Sequence, residues 1–566
     1  ELRLVGSEMC IRDSLNTIRS SVMFSFFTNT DFPFFCWIFG LRDLVIKLSG
    51  QVSKLSNQLE DVFAEKQKLA EENEELKAEL ARLKGQSPKP KFTEKTEKNT
   101  DISSEKERKK SKKWSKKGKK KLIEVDKEIF CKVSEEILPP DAYYLRRESV
   151  ISQNLRIVRE NIAYQIDVYY SPSTRKLYRG NFPSDKEDYF GSDLQALLIG
   201  LHYGAGVTRQ KSLEFVRSFG IEISVGSLNN ILLQNKSLLV AEQQMILKAG
   251  LQTSHQQIDA TGSKFKGKNY HTQILCNEFF SVYGTYPTKS RLDILRFLQG
   301  GEELNYLYND QSKDLLSTLK VGNKYQKQMQ SLLLKNETYS EQVLEECLVT
   351  LKQKPQIYKH IREALALAYY YEQNDFGPIE ILISDNAPEY NLIAEEHALC
   401  WIHDVRNYKK LTAYLPENQQ ILEDFLTQYW SFYQLLLDFQ ENHAKEKISY
   451  IENEFDRIFT TETDYYALNE RINKTFDKKE ELLKVLKYPY IPLHNNLAEL
   501  AARYKVRKRD ISLHNTSQDG LLVLDAAMSI IDTARKLGIN IYQYLTDRIK
   551  GSFEMTSLDQ LIMEID

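Results

Sequence analysis

Between residues 255 and 289 the chain reads HQQIDATGSKF, YHTQILCNEFF and SVYGTYPTK, three β-type runs in direct succession. Runs this rich in β-branched and aromatic residues, with so little chain between them, predict three consecutive strands with tight connections. A helical pattern, RLDILRFLQG, follows, and a second buried-strand run, IEILISD, arrives some 80 residues later and ends at Asp385. Strands divided by helical stretches predict an α/β protein. Composition agrees: Gly and Pro number only 23 and 14 among 566 residues, too few for the many tight turns of a sandwich or propeller.

Ahead of this body lie three unlike segments. The opening ELRLVGSEMCIRDS resembles translated adapter sequence, and residues 1–43 are set aside as a leader. Its apolar stretch from Val22 to Leu41 is broken by Asn29, Asp31 and Pro33, which a spanning helix of about 20 apolar residues does not tolerate; no membrane role is expected. Residues 44–85 carry a heptad. Leu48, Leu55, Val62, Leu69, Leu76 and Leu83 take d positions, and Val52, Leu59, Lys66, Asn73 and Leu80 take a positions. Leu at d with one polar Asn at a predicts a parallel coiled coil, hence a homodimer or higher oligomer. Residues 86–123 form a basic tether: from Lys89 to Lys121, fifteen Lys/Arg against five Asp/Glu leave +10. Such a run buries too little to fold alone and suits either a solvated linker or salt-dependent phosphate contacts. The chain's total of 77 basic and 79 acidic residues, net −2, averages these parts and says nothing against a polyanionic partner. Six cysteines without one CxxC pair argue against a disulfide framework and for a reducing, cytoplasmic setting.

In residues 124–245, the run IAYQIDVYYSPSTRKLYRGNF predicts a small hairpin about its SPST turn. Three short helical patterns follow, with Gly220 ending the second and Ser224 or Ser227 capping the third. Their spacing suits a helix-turn-helix-like unit in contact with DNA, or a plain packing unit. Residues 246–550 hold the chemistry, and 551–566 a tail. Asp259 and Asp385 belong to segments able to pair in one sheet. Glu499 sits on a predicted amphipathic helix with Asn495 at i−4 and Arg503 at i+4. Three carboxylates brought together repel unless cations neutralise them, and hard divalent ions suit oxygen ligands. A pair of Mg2+ or Mn2+ ions on such a set performs phosphoryl transfer. Spacing alone does not single out this triple among 79 acidic residues.

The words around the carboxylates are more specific. IDATGSKFKGKNYHTQILCN, ISDNAPEY with CWIHDVRNYKKL, and PLHNNLAELAARYKVRKRDISLHNTSQDG resemble transposases of the insertion sequence 66 family. The family's first motif appears as Asp259 in DAT, with Ala260 in the slot usually acidic or polar. Its CWAH-and-Arg motif appears as Cys400, Trp401, His403 and Arg406. Its NNxAE block appears as Asn495, Asn496, Ala498 and Glu499, followed by Arg503, Arg507, Lys508, Arg509, Ser512 and Gly520. The ending SIIDTARKLGINIYQYLTDRI is also similar, so the resemblance covers roughly Tyr164 to Lys550. It implies an RNase H-like catalytic domain with a metal-binding DDE triad of Asp259, Asp385 and Glu499. It implies a bacterial enzyme that cleaves DNA at element ends and joins the freed 3′-OH to target DNA, with accessory proteins of the same element as further partners.

The departures are the Cys-rich zinc-binding segment that many family members carry before the catalytic domain, where here only Cys131 lies nearby, and the spacing. Asp259 and Asp385 lie 126 residues apart, Asp385 and Glu499 114. Residues near 301–377 and 411–488 read as helical insertions, either clamps over DNA or inert packing. On resemblance, His403 and Arg406 face DNA or the triad. Lys264, Lys266 and Lys268, and the strip Arg503, Lys505, Arg507, Lys508 and Arg509, are expected to hold phosphate. Cys400 and His403, three apart, are a metal pair or, more commonly, structural. Two further readings stay open: a catalytically decayed, dimeric DNA-binding derivative, and a coiled-coil scaffold, which leaves most of the chain idle.

Overall fold

The computed structural model describes residues 125–565 apart from 134–137, 182–188, 302, 350, 352–353, 374–375 and 513–514, together with scattered positions between 47 and 69. Those scattered positions are helical, and Leu48, Leu55, Leu59, Val62 and Leu69 among them stand exposed. Val52, Asn73, Leu76, Leu80 and Leu83 lie outside the described residues, as do the leader and the basic tether.

The chain divides into two compact units, the larger drawn from Asp101–Arg406, Tyr433–Ile451 and Lys478–Asp566. It is a mixed α/β unit. The SPST turn joins β1 (Val168–Ser171) to β2 (Lys176–Arg179) as an antiparallel pair. Then come α1 (Ser192–Ile199), a π-helical turn at Gly200–Gly204, α2 (Arg209–Ser218), α3 (Val225–Gln234) and α4 (Lys236–Leu251). The predicted caps are present: Gly220 turns the chain after α2 at φ +78°, and Ser224 accepts the amide of Ser227 at the start of α3. These helices share the unit's apolar core through Leu198, Leu213, Leu228 and Ile246, and α3 carries no Lys or Arg.

The central sheet has five strands in the order β5-β4-β3-β8-β9. β3 (Gln256–Phe265), β4 (Lys268–Cys276) and β5 (Ser281–Tyr286) are the three runs read from sequence, paired antiparallel. β8 (Ile379–Ser384) lies parallel to β3, and β9 (Ala394–Leu399) parallel to β8. The sequence AEEHAL of β9 has weak β propensity, which yields to pairing with buried β8. Between β5 and β8 stand α5 (Arg291–Leu298), β6 (Asn305–Tyr308), α6 (Asp310–Thr318), α7 (Asn323–Leu332), β7 (Glu337–Ser340), α8 (Glu341–Val349) and α9 (Pro355–Glu372). This insertion is therefore not purely helical, because β6 and β7 form their own antiparallel pair.

The chain continues through α10 (Trp401–Lys409), α11 (Pro416–Asn442), α12 (Ile448–Phe459), α13 (Tyr466–Phe476), α14 (Lys479–Leu482) and α15 (Lys484–Lys487). It ends in α16 (Asn496–Ser512), α17 (Gln518–Lys536), α18 (Ile541–Lys550) and α19 (Leu558–Ile565). The smaller unit contains Asn407–Phe432 and Glu452–Asp477. There Tyr408 stacks on Phe425 at 5.1 Å, and Phe455 meets Phe459 at 4.5 Å, an aromatic core for that unit. Among the described residues no helix is long and apolar enough to cross a membrane.

α17 solves the edge problem at β5. An uncovered edge strand presents unpaired N–H and C=O groups. Asp525, Ser529 and Thr533 recur every four residues along one face of α17. Ser529 accepts the Tyr283 amide at 3.0 Å, Thr533 accepts the Ser281 amide at 3.1 Å, and Asp525 accepts the Thr285 hydroxyl at 3.0 Å. Asp525 also takes the ammonium of Lys505 at 2.5 Å, both side chains nearly fully buried. That pair ties α16 to α17 and the sheet. Asp525→Asn leaves a buried, uncompensated lysine, so denaturant titration should show a loss of about 3–5 kcal/mol. The double substitution Lys505→Met with Asp525→Leu should recover much of it.

Candidate active site

The register of β3 against β8 sets the first two carboxylates level. Gln256 pairs with Leu382 and Gln257 with Ile383, so two residues further Asp259 and Asp385 leave the pairing together on one face. Asp259 does not stand at a strand end. It lies four residues into β3, because β3 runs on with β4 as a hairpin after β8 has stopped. Asp259 accepts the Ala260 amide at 2.8 Å, a backbone contact that the alanine at 260 does not alter. Asp385 turns back to accept the Ala387 amide at 3.1 Å.

Glu499 arrives from the first turn of α16, whose start is stitched to the sheet. The Leu497 amide donates to the Gln257 side chain at 3.2 Å, and the Asn495 side-chain amide to the Ile258 carbonyl at 3.4 Å. The same loop clasps α10: Trp401 N–H donates to Leu493 O at 3.0 Å, and Asn495 N–H to the Cys400 sulfur at 3.4 Å. The two motifs read separately in the sequence are thus one clasp, which brings His403 and Arg406 to Glu499. Arg406 donates to Glu499 Oε2 at 3.0 Å, and His403 Nε2 stands 3.7 Å from Oε1. Arg406 also reaches His403 at 3.1 Å. Cys400 is buried and its thiol is pushed up to about 11 by desolvation, a structural residue rather than a thiolate ligand.

Electrostatics join the three acids. The carboxyl of part-buried Asp259 is raised to about 6 by desolvation first, then by the charges of Asp385 and Glu499, against the Ala260 amide and Arg406. Tyr390, buried just beyond Asp385, has its phenol held neutral by desolvation and by the charges of Asp259 and Asp385. The donors are all oxygens, which fits a hard divalent ion. Among the described residues no three His, Cys, Asp or Glu side chains form a ready-made cage for one ion. Mg2+ characteristically takes one or two carboxylates and completes its shell with water and phosphate, so the donor set fits.

Sequence reasoning missed the braces behind the site. Arg291, at the start of α5, donates to Asn391 O at 3.0 Å and Pro388 O at 2.8 Å, in the loop after Asp385. Its third contact is buried Glu363 of α9, at 2.8 Å. Tyr371 of α9 donates to Leu392 O at 3.1 Å. The inserted α9 therefore holds the loop carrying Asp385, something no local sequence signal announces.

The basic residues divide by phase. Arg503 and Arg507 follow Glu499 along one exposed face of α16, and Arg509 donates to Gly262 O at 2.6 Å. Lys508 corrects the expectation: it is buried, donates to the His202 carbonyl, and is lowered to about 8 by burial and by Lys505 and Arg209. Lys505 is likewise buried on Asp525. A run of cations read as one strip wraps a helix whose inner side packs on the body. Lys264, Lys266 and Lys268 are exposed around the β3–β4 turn, where Lys266 (φ +47°) and Gly267 (φ +77°) make the two-residue connection. The Lys266 amide donates to Asn515 O at 2.9 Å, docking the turn beyond α16.

The raised carboxyl has a sign. Asp259 keeps its proton in the folded state between its ordinary 3.8 and about 6, so its contribution to stability is complete below the lower value and is lost as pH rises through the upper. Asp259→Asn should therefore stabilise the chelator-treated protein near pH 8, by on the order of 1–3 kcal/mol, and hardly at all near pH 4. Urea titrations of both proteins at the two pH values check this.

Comparison with known proteins bears on this geometry. Residues 338–522 match the family described as Transposase IS66 family, a stretch that contains Asp385, His403, Arg406 and Glu499, while Asp259 precedes it. The chain is 28% identical over 313 residues to the "Uncharacterized protein y4jO" of Sinorhizobium fredii (strain NBRC 101917 / NGR234), covering 54% of this chain and 94% of that protein. No solved structure matches. Residues 338–522 of the chain are thus similar to the insertion sequence 66 transposase family.

Proposed function

We propose that the chain is a DDE transposase that cleaves DNA at the ends of a bacterial insertion sequence and transfers the freed strand to target DNA. What supports this reading is that the β3–β8 register sets Asp259 level with Asp385 while the Leu497 and Asn495 contacts hang the start of Glu499's helix on the same strand. The strand order β5-β4-β3-β8-β9, antiparallel in its first three strands and parallel in its last, supports an RNase H-like domain.

Two Mg2+ or Mn2+ ions, held by the three carboxylates, would activate the attacking hydroxyl and stabilise the leaving oxygen. The chain's own residues do the rest. Asp259 and Asp385 bind from the sheet, and Glu499 from the helix. Arg406, ion-paired with Glu499, and His403 beside it would be in reach of phosphate next to the three carboxylates. Arg503 and Arg507 extend that face along α16 to hold the backbone, with Lys264, Lys266 and Lys268 at the hairpin turn. The heptad at 44–85 assembles two or more copies, the tether at 86–123 contributes sequence-independent affinity, and the enzyme works in the cytoplasm.

The test is purified full-length protein with duplexes carrying the flanking terminal sequences, in Mg2+ or Mn2+. Cleavage exposing a 3′-OH and joining to a second duplex are expected. Asp259→Asn, Asp385→Asn or Glu499→Gln should each slow both by about 10³-fold or more, as loss of several kcal/mol of metal-dependent stabilisation requires. Binding without cleavage, unchanged by these substitutions, would favour the decayed DNA-binding derivative.

A further inference from the structure

The β1–β2 hairpin is the one sheet of the described residues with no core beneath it. Val168, Tyr169, Tyr170, Leu177 and Tyr178 are each more than half exposed, on both faces of a ribbon four residues long per strand. A two-stranded ribbon of this size is marginal alone in water. Its turn is nevertheless prebuilt: the Ser171 hydroxyl accepts the Thr174 amide at 3.4 Å and pairs with Ser173 at 3.0 Å, and the Thr174 hydroxyl pairs with Tyr178 at 3.3 Å.

The register sorts the side chains. Tyr169 faces Tyr178, and Ser171 faces Lys176, all on one side; Val168 faces Arg179 and Tyr170 faces Leu177 on the other. From Val168 to Arg179 there are three cations, Arg175, Lys176 and Arg179, and no acid. A twofold pairing with a second copy would set like charges against one another. A polyanion meets the same surface with complementary charge. The major groove of duplex DNA admits a two-stranded ribbon, and tyrosines flanked by cations suit a sugar–phosphate wall.

We propose that the β1–β2 ribbon is a DNA-contacting element separate from the carboxylate site, with Arg175 and Lys176 on backbone phosphates and the Tyr169–Tyr178 face against the groove. This rests on the transposase reading for the identity of its partner, but it needs binding alone, not catalysis. The phosphates belong either to the element ends or to target DNA.

The test is full-length protein in chelator, titrated by fluorescence anisotropy with a duplex carrying the flanking terminal sequences and with an unrelated duplex, across a salt series. Relative to wild type, Arg175→Ala with Lys176→Ala should weaken binding about tenfold and flatten the slope of log affinity against log salt by about 2. Loss on both duplexes assigns the ribbon to any DNA, and loss on the terminal duplex alone assigns it to the ends. Tyr169→Ala should weaken binding with the slope unchanged. If wild type binds and both variants match it in affinity and slope, the ribbon is not a DNA contact and the transposase reading stands. A changed oligomer mass by light scattering with unchanged DNA affinity would also overturn the proposal, in favour of a second copy. If the ribbon variants lose binding while wild type cleaves nothing with metal added, the ribbon stands and the catalytic reading falls.

Discussion

The parallel pairing of β3 with β8, only two residue pairs long, is the contact on which the rest of the site depends. It ends where Asp259 and Asp385 begin, so both carboxylates leave the sheet at one level. Two elements placed later in the chain are hung on that level. The Gln257 and Asn495 contacts hang α16 on β3, and the Trp401–Leu493 contact hangs α10 on the same loop. Residues scattered over 240 positions are thereby brought to one place by few bonds, most of them through the backbone.

The arrangement is costly in isolation. A carboxyl raised to about 6 by burial and two neighbouring acids is a destabilising group at neutral pH, and its repulsion is offset in part by the Ala260 amide on Asp259 and by Arg406 on Glu499. Elsewhere the larger unit is conventionally tight: α17 covers the β5 edge with hydroxyls at helical spacing, and Lys505 lies buried against Asp525. A buried carboxyl raised by neighbouring acids is the kind of perturbed group that supports the reading proposed for this site.

Much of this was legible because it is periodic or local. The three strands around Asp259, the buried run before Asp385, the Ser224 cap and the Gly220 stop all follow from short-range rules. What escaped was decided by tertiary contacts. β9 is a strand because β8 needs a neighbour, not because AEEHAL favours one. Lys508 looked like an exposed cation until the phase of α16 turned it onto the His202 carbonyl. The insertion before β8 read as helices, yet it carries the β6–β7 pair and reaches the Asp385 loop through Arg291 and Glu363. Nothing in those residues, taken singly, marks them as supports of a site.

The central claim is that Asp259, Asp385 and Glu499 form one divalent-ion site. Calorimetric titration of the chelator-treated protein with Mn2+, without DNA, tests it most directly. The account predicts saturable binding that Asp385→Asn and Glu499→Gln each weaken at least tenfold while the melting temperature of the ion-free protein is maintained or raised. Binding of equal affinity in all three proteins, or none in the wild type, would contradict it.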